Sequence, residues 1–429
     1  MQIHSYPALA ETLCTATLPS GLRLMVLPRK GFTKKLAYLV TDFGSVHTDF
    51  TLEGKHYHTP AGIAHYLEHK LFDMPDGRDI SGEFAALGAI VNAFTSYDMT
   101  AYYFSCTESF GECLQLLLEL VFTPHFTQES VQKEQGIIDQ EIGMNLDAPD
   151  SVVFDALMEA LFHHHPVRVP ILGTRESIRQ ISPQMLYDIH RAFYAPGNML
   201  LCVAGDVDPQ AVYDQADRFL GREKKSVGRK CPFPQEPQQR IQELARRSME
   251  VAMPNFSMGI KFPFPGNGEE GVRRELAAEL ATEALFGESS ELYLRLYDQG
   301  LIDSSFGGGF ETIDSCAMLL CSGDSPDPLA VRDAVLEQAA KLAREGIPRE
   351  QFLRIRRSAL GRRIRGLDSF DPTVFRLCAY ALTDFDYLRF PEVFRSIGPE
   401  DLQPIFAQAA NAQSCSISII DPNSKEDAS

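Results

Sequence analysis

The chain has 429 residues, of which 44% are hydrophobic and 23% are charged. This composition is typical of a globular protein, and the length predicts two domains because one hydrophobic core rarely serves more than about 250–300 residues. The formal net charge of -18 argues against a nucleic-acid-binding surface. The N-terminus lacks a basic region followed by an apolar core, and no segment holds about 18 consecutive apolar residues. The sequence therefore predicts a cytoplasmic protein without a membrane partner.

The first half of the chain alternates short apolar runs with helical periodicity. In chain order it predicts strands at Leu22–Pro28 and Lys35–Thr41, a helix at 62–72, a short helix at Ile80–Leu87, a hairpin of Ile90–Thr95 with Thr100–Ser105, a helix at Phe110–Phe122 and another opened by Thr127. A run of three histidines, His163–His165, precedes a proline and predicts a polar loop or cap rather than a metal site.

The predicted helix at 62–72 carries the pattern His-x-x-Glu-His, formed by His65, Glu68 and His69. Residues four apart lie one above the other on a helix, so the two imidazoles can converge on one metal ion. Glu68 projects beside them, where a carboxylate can polarise a metal-bound water. Two surface or capping histidines near a chance glutamate are the alternative. The apolar flanks favour the metal site, because unpaired polar groups in a buried segment are costly.

Two carboxylates, Glu134 and Glu141, lie on the helix that Thr127 opens. They are two helical turns apart on one face, beside the apolar Ile137 and Ile138. Carboxylates on a buried face need a partner, whereas solvated residues at heptad spacing need none. Periodicity alone leaves both interpretations open.

Together, the His-x-x-Glu-His helix, the later strand 92–96 and the pair Glu134 and Glu141 resemble the pitrilysin or insulinase family of zinc peptidases. The resemblance implies that His65, His69 and Glu141 bind one zinc ion per chain and that Glu68 is the general base. It also implies that Glu134 is a second catalytic carboxylate, which supports a ligand without binding the metal. Two histidines and a glutamate leave an open position, as in catalytic zinc sites, whereas structural sites usually have four protein ligands.

The resemblance further implies how a peptide substrate binds. Asn92, Ala93 and Phe94 match an edge strand along which the substrate adds as an extra strand. Arg295 matches an arginine that holds the substrate backbone, but the tyrosine expected seven residues later is Ile302. A turn residue at Asn92 and an ordinary helix-surface arginine at Arg295 are the alternatives.

The second half of the chain repeats the order of the first. It predicts a strand at Phe256–Phe262, a helix at Arg273–Phe286, a hairpin of Phe306–Phe310 with Cys316–Cys321, helices at Ala330–Arg344 and Arg349–Arg365, and a strand at Ser414–Ile420. All eleven histidines lie at or before His190, and Arg362 takes the place of Glu141. The predicted domains are therefore a zinc-bearing domain at 1–220, a basic and proline-rich linker at 221–247, and a degenerate domain without a metal site at 248–429.

The predicted fold class is α+β, with two tandem homologous domains, each a mostly antiparallel sheet packed with helices, that form half of a clam-shell chamber. Similarity to the mitochondrial processing peptidase and to bacterial two-protein pairs implies a heterodimer with a homologous chain that lacks the zinc motif. Such a dimer would be a zinc endopeptidase that cleaves peptides or peptide precursors. The alternative is a non-catalytic or regulatory binding subunit of a peptide-processing complex.

Overall fold

The computed structural model describes residues 1–423. The strands are β1 (Gln2–Tyr6), β2 (Glu11–Thr17), β3 (Arg23–Pro28), β4 (Lys35–Thr41), β5 (Asp49–Leu52), β6 (Lys55–His58), β7 (Ile90–Thr95), β8 (Thr100–Cys106), β9 (Met199–Gly205), β10 (Arg229–Lys230), β11 (Leu244–Met249), β12 (Asn255–Phe262), β13 (Gly307–Ile313), β14 (Cys316–Asp324) and β15 (Cys415–Pro422).

The helices of the same residues are α1 (Ile63–Lys70), α2 (Ile80–Ala86), α3 (Phe110–Phe122), α4 (Gln128–Leu146), α5 (Pro149–Leu161), α6 (Arg175–Ile178), α7 (Pro183–Phe193), α8 (Pro209–Leu220), α9 (Gly268–Phe286), α10 (Glu291–Asp298), α11 (Pro328–Glu345), α12 (Arg349–Gly366), α13 (Phe370–Leu382), α14 (Phe390–Ser396) and α15 (Gln403–Ala409). None of these helices has the length and apolarity needed to cross a bilayer.

The larger sheet has the strand order β1-β2-β3-β9-β4-β8-β7, in which only β3 and β9 run parallel. Along its interior strand β4, Leu36, Tyr38 and Val40 face one hydrophobic core, and Ala37 and Leu39 face another. Successive side chains of a strand point to opposite faces, so both faces of this sheet are covered. This double burial explains the nearly continuous apolar run that marks the strand in the sequence.

The second main sheet has the strand order β11-β15-β12-β14-β13, with β11 and β15 parallel and the other pairs antiparallel. The last five strands of the larger sheet, β3-β9-β4-β8-β7, have the same order and the same directions. The predicted α+β fold with two similar domains is confirmed at this level.

Each main sheet is covered by a helix from the other half of the chain. α5 packs against β12 and β15, and α13 packs against β4 and β9. The α5 contact is close enough that a Cβ added at Gly259 of β12 would lie 2.6 Å from a methyl carbon of Leu161. The domain boundaries at 1–220, 221–247 and 248–429 stay a prediction. The largest hydrophobic core contains residues from both sides of them.

The predicted linker contains regular structure and joins the two halves. β10 pairs with β5, and β11 begins inside the predicted linker range. The carboxylate of Glu236 accepts the backbone N–H groups of His163, His164 and His165 at 2.8, 2.8 and 2.9 Å. It also pairs with the buried ammonium of Lys261 on β12. Glu236 thus caps the backbone N–H groups of the histidine run, which the sequence predicts to be a polar loop or cap.

Candidate metal centre

Helix α1 is held in the core by its apolar side. It follows Gly62, whose φ of +87° and closeness to the carbonyl oxygen of Leu172 leave no room for a side chain. Ile63, Tyr66 and Leu67 are buried in the core beneath the larger sheet. The remaining face of α1 carries the His-x-x-Glu-His residues, so the predicted helix is confirmed, with its ends at Ile63 and Lys70.

Helix α4 brings Glu134 and Glu141 to that face. It begins where the sequence predicts, because Thr127 and Ser130 form a capping box. The hydroxyl of Tyr66 on α1 donates to the carbonyl oxygen of Val131 near the start of α4. Glu134 and Glu141 both lie beside histidines of α1; the Glu134 side chain is 13% exposed, whereas that of Glu141 is 38% exposed.

Two histidines and one glutamate converge on a single point between these helices. Glu141 Oε2 lies 3.6 Å from His65 Nε2 and 3.8 Å from His69 Nε2. One ligand atom from each of the three residues lies within 4.8 Å of the others, and no other such group occurs in residues 1–423. Atoms bound to one tetrahedral zinc ion are about 3.4 Å apart, so this donor set fits zinc after small side-chain adjustments.

The two imidazoles differ in their surroundings. Burial, together with the charge of His69, lowers the pKa of His65 to about 4, which keeps His65 in the neutral form that binds metals. Nδ1 of His69 lies 2.9 Å from Glu134 Oε1, and this hydrogen bond raises the pKa of His69. Glu134 therefore fixes the ring with Nε2 toward Glu141, whereas His65 Nδ1 has no such partner among the described residues.

Glu68 is a buried carboxylate beside the two histidines. Burial raises its pKa, while a hydrogen bond from Thr95 acts in the opposite direction. Thr95 Oγ1 donates to Glu68 Oε2 at 2.6 Å, so the other carboxylate oxygen remains available. A positioned carboxylate with a raised pKa is suited to general acid–base chemistry.

β7 is the outer strand of the larger sheet and packs beside α1. Asn92 lies within this strand, so its interpretation as a turn residue is wrong; its side-chain oxygen accepts the N–H of Ala93 at 2.8 Å. The ring of Phe94 packs against Phe375 of α13, with 5.8 Å between ring centroids. The strand is therefore near α1, but Phe94 already has an aromatic partner.

Arg295 lies in different surroundings. It belongs to α10, where the charges of Glu291 and Lys341 are its neighbours, and within residues 1–423 no hydrogen bond joins it to α1, α4 or β7. It is also not among the residues that line a cavity of about 1280 Å³ between the β7–β8 turn and the second half. Ile302, at the position of the expected tyrosine, is buried in the core.

In the second half, an ion pair takes the position that the candidate metal ligands have in the first half. Arg362 of α12, which corresponds to Glu141, lies 2.7 Å from Glu283 of α9. The described residues of this half contain no cluster of potential metal ligands, and the degenerate domain without a metal site stays a prediction.

Sequence reasoning missed two polar residues of the site, Thr95 and Lys70. Thr95 lies two residues after Ala93 and so faces the same side of β7, which is the side of α1. Lys70 lies four residues after the buried Tyr66 and so belongs to the same helix face. Both signals are present in the sequence.

Comparisons with known proteins show the family of the chain. A sequence model of the insulinase family, peptidase family M16, matches residues 53–175, and a model of the peptidase M16 inactive domain matches residues 180–359. The chain is 35% identical over 432 residues to YmfH of Bacillus subtilis strain 168, an uncharacterized zinc protease, with 98% of this chain and 99% of YmfH covered. The chain belongs to the insulinase family.

Solved structures place this insulinase-family chain among two-domain M16 folds. The crystal structure of an M16-like peptidase from Alicyclobacillus acidocaldarius has a TM-score of 0.93 at 30% identity and covers 98% of this chain and 100% of that one. Pitrilysin has a TM-score of 0.78 at 17% identity, covering 96% of this chain but only 45% of pitrilysin. This family member therefore corresponds in fold to about half of pitrilysin.

Proposed function

We propose that the chain is a zinc-dependent endopeptidase in which His65, His69 and Glu141 hold the metal and Glu68 is the general base. The observation that carries this proposal is the convergence of three ligand atoms within 4.8 Å between α1 and α4. Similarity to a named zinc protease over nearly the whole chain supports it. A scaffold subunit needs neither three converging ligands nor a buried carboxylate beside them.

The chemistry requires a base that accepts a proton and then releases it. Zinc, when bound, supplies a Lewis acid and an acidified water. Glu68 Oε2 is held by Thr95, so Oε1 is free to accept a proton from the attacking water and deliver it to the leaving amine. Glu134 keeps the proton of His69 on Nδ1, which leaves Nε2 as the donor atom.

The proposed substrate is a peptide or peptide precursor that adds to the open edge of β7. Strand addition uses backbone hydrogen bonds, so it binds peptides of varied sequence. Asn92, Ala93 and Phe94 would line this edge, and Thr95 connects it to Glu68. The outer position of β7 in its sheet supports this mode of binding.

We also propose that the active chamber needs a second, homologous chain that lacks the zinc motif. The correspondence to about half of pitrilysin supports a two-chain assembly. The surroundings of Arg295 and the burial of Ile302 support the proposal that a second chain supplies groups that hold the substrate. We further propose that the protein is cytoplasmic. Its proposed domain boundaries are 1–220, 221–247 and 248–429.

The test is metal analysis and peptide cleavage by the purified chain, alone and with a co-purified partner. We expect about one zinc ion per chain, loss of cleavage after chelation, recovery on adding zinc, and a higher rate with the partner. Cleavage by the metal-free chain would refute the metal assignment. Full activity of the isolated chain, unchanged by the partner, would refute the two-chain chamber.

A further inference from the structure

Lys70 is a buried lysine directly after His69. Only 1% of its surface is exposed, although a lysine is rarely buried unless its charge is paired. Its ammonium group pairs with the carboxylate of Asp73 and donates to the carbonyl oxygen of Ser130 at 3.3 Å. The same Nζ lies 3.9 Å from Glu134 Oε2. Lys70 thus faces the start of α4 rather than solvent.

Glu134 is shared between two consecutive residues of α1. Its Oε1 lies 2.9 Å from His69 Nδ1, and its Oε2 faces Lys70. The Glu134 side chain is only 13% exposed, so solvent contributes little to balancing its charge. Lys70 is therefore in a position to orient the carboxylate that orients His69.

The contacts of Lys70 also fix how α1 lies against α4. Tyr66 donates to the carbonyl of Val131, and Lys70 donates to the carbonyl of Ser130 next to it. Glu141 lies two turns after Glu134 on the same helix, so a shift at the start of α4 would move Glu141 relative to His65 and His69.

Charge balance supports a role for Lys70 beyond packing. Glu68, Glu134 and Glu141 bring three negative charges near two histidines, and Lys70 brings one positive charge. A divalent cation would neutralise the two negative charges that remain. Asp73 adds a further carboxylate, but its side chain is 44% exposed and is screened by water.

We propose that Lys70 is a positioning residue of the metal site: it acts through Glu134 to hold His69 and the α1–α4 register in the geometry that binds zinc. This inference rests on the proposed function. A lysine needed only for packing would be replaceable by methionine, which is similar in length and carries no charge.

The test measures the zinc dissociation constant by competition with a chelator, the absorption spectrum of the cobalt-loaded chain, and the fold by circular dichroism. Lys70→Met is expected to weaken zinc binding by about 10–100-fold and to change the cobalt spectrum, because loss of outer-shell support has effects of this size. In a Glu134→Gln background, Lys70→Met should weaken binding by less than about threefold more, since the two residues act together. The matched control is Lys133→Met, which removes an exposed lysine next to Glu134.

A folded Lys70→Met chain that binds zinc within about twofold of wild type would overturn the inference, as would fully additive losses with Glu134→Gln. If Lys70→Met fails to fold, Lys70→Gln keeps a donor for the Ser130 carbonyl without the charge. The same loss of affinity is expected there, and wild-type affinity would overturn the inference. If the wild-type chain itself binds no zinc, the proposed function fails instead.

Discussion

Thr95 connects the substrate edge of the sheet to the proposed base. Its hydroxyl lies on the side of β7 that faces α1 and binds Glu68 Oε2 at 2.6 Å. A substrate added to β7 would therefore lie beside the carboxylate that accepts the proton. This single contact couples the position of the base to the strand that is proposed to bind the peptide.

Replacing Thr95 by valine keeps the shape and removes the hydroxyl. We expect kcat to fall by about 10–100-fold, because a hydrogen bond to a charged group contributes about 1.5–3 kcal/mol. Zinc content should not change, since Thr95 touches no candidate ligand in the described structure. Thr95→Ser is the control and should retain most of the activity. Cleavage by Thr95→Val at the wild-type rate would show that this contact does not position the base.

The four residues proposed for the chemistry were predictable because a motif and a family resemblance identified them. Thr95 and Lys70 were not predicted, although both carry the correct periodicity. Their partners, Glu68 and Glu134, lie 27 and 64 positions away in the chain (95 − 68 and 134 − 70), and periodicity gives a face but not a contact. Arg295 was predicted to bind substrate because it matches the arginine of the family pattern. In the structure its charged neighbours are Glu291 and Lys341.

At the scale of elements, Glu236 joins three parts of the molecule. It lies in the predicted linker, accepts the three backbone N–H groups of His163–His165 that follow α5, and pairs with Lys261 of β12. Burial raises the pKa of Glu236, but the hydrogen bonds from Lys261 and from His163–His165 outweigh it and lower the pKa to about 2.

Glu236→Gln is expected to lower the free energy of unfolding at pH 7 by about 3 kcal/mol, because it leaves the buried Lys261 without its counter-charge. The folded-state pKa of Glu236 is depressed, so its stabilisation is complete above the unfolded pKa and is lost as pH falls toward 2. Denaturant unfolding of both chains between pH 7 and pH 3 checks this. The difference should shrink on acidification. Glu223→Gln, an exposed carboxylate in the same linker, should have little effect at any pH.

Sequence patterns located most elements but not their partners. The prediction of α4 from Thr127 was accurate because the capping box is local. The sequence did not predict α5 and α13. It also did not predict that each of these helices packs on the sheet of the other half. A helix's periodicity shows that it has an apolar face, whereas tertiary packing alone decides which sheet that face covers.

At the scale of the whole molecule, the exchange of α5 and α13 makes the two halves depend on each other. The largest hydrophobic core contains Leu36 and Cys202 of the larger sheet together with Met258 and Leu377 of the second half. This core needs both halves, whereas the core on the other face of the larger sheet is built from the first half alone. The chain is therefore expected to unfold as one cooperative unit despite its two sheets.

Leu377→Ala tests this dependence. Leu377 is fully buried on α13, so the substitution should lower the free energy of unfolding by about 2–5 kcal/mol. Calorimetry should show one transition for the wild type and one, at lower temperature, for the variant. Ile364→Ala, at a residue that is 39% exposed on α12, is the control and should change the transition little. Two separate transitions, with only one displaced, would contradict the shared core.

The most direct test of the central claim is the peptide-cleavage rate and zinc content of Glu68→Gln, assayed with the partner chain present. The substitution keeps the size of the side chain and the acceptor for Thr95, but it removes the base. We expect zinc content equal to wild type and a rate lower by at least about 100-fold, the usual contribution of general acid–base catalysis. Glu129→Gln, an exposed carboxylate in the first turn of α4, should cleave normally. Cleavage by Glu68→Gln at the wild-type rate would contradict the assignment of Glu68 as the base.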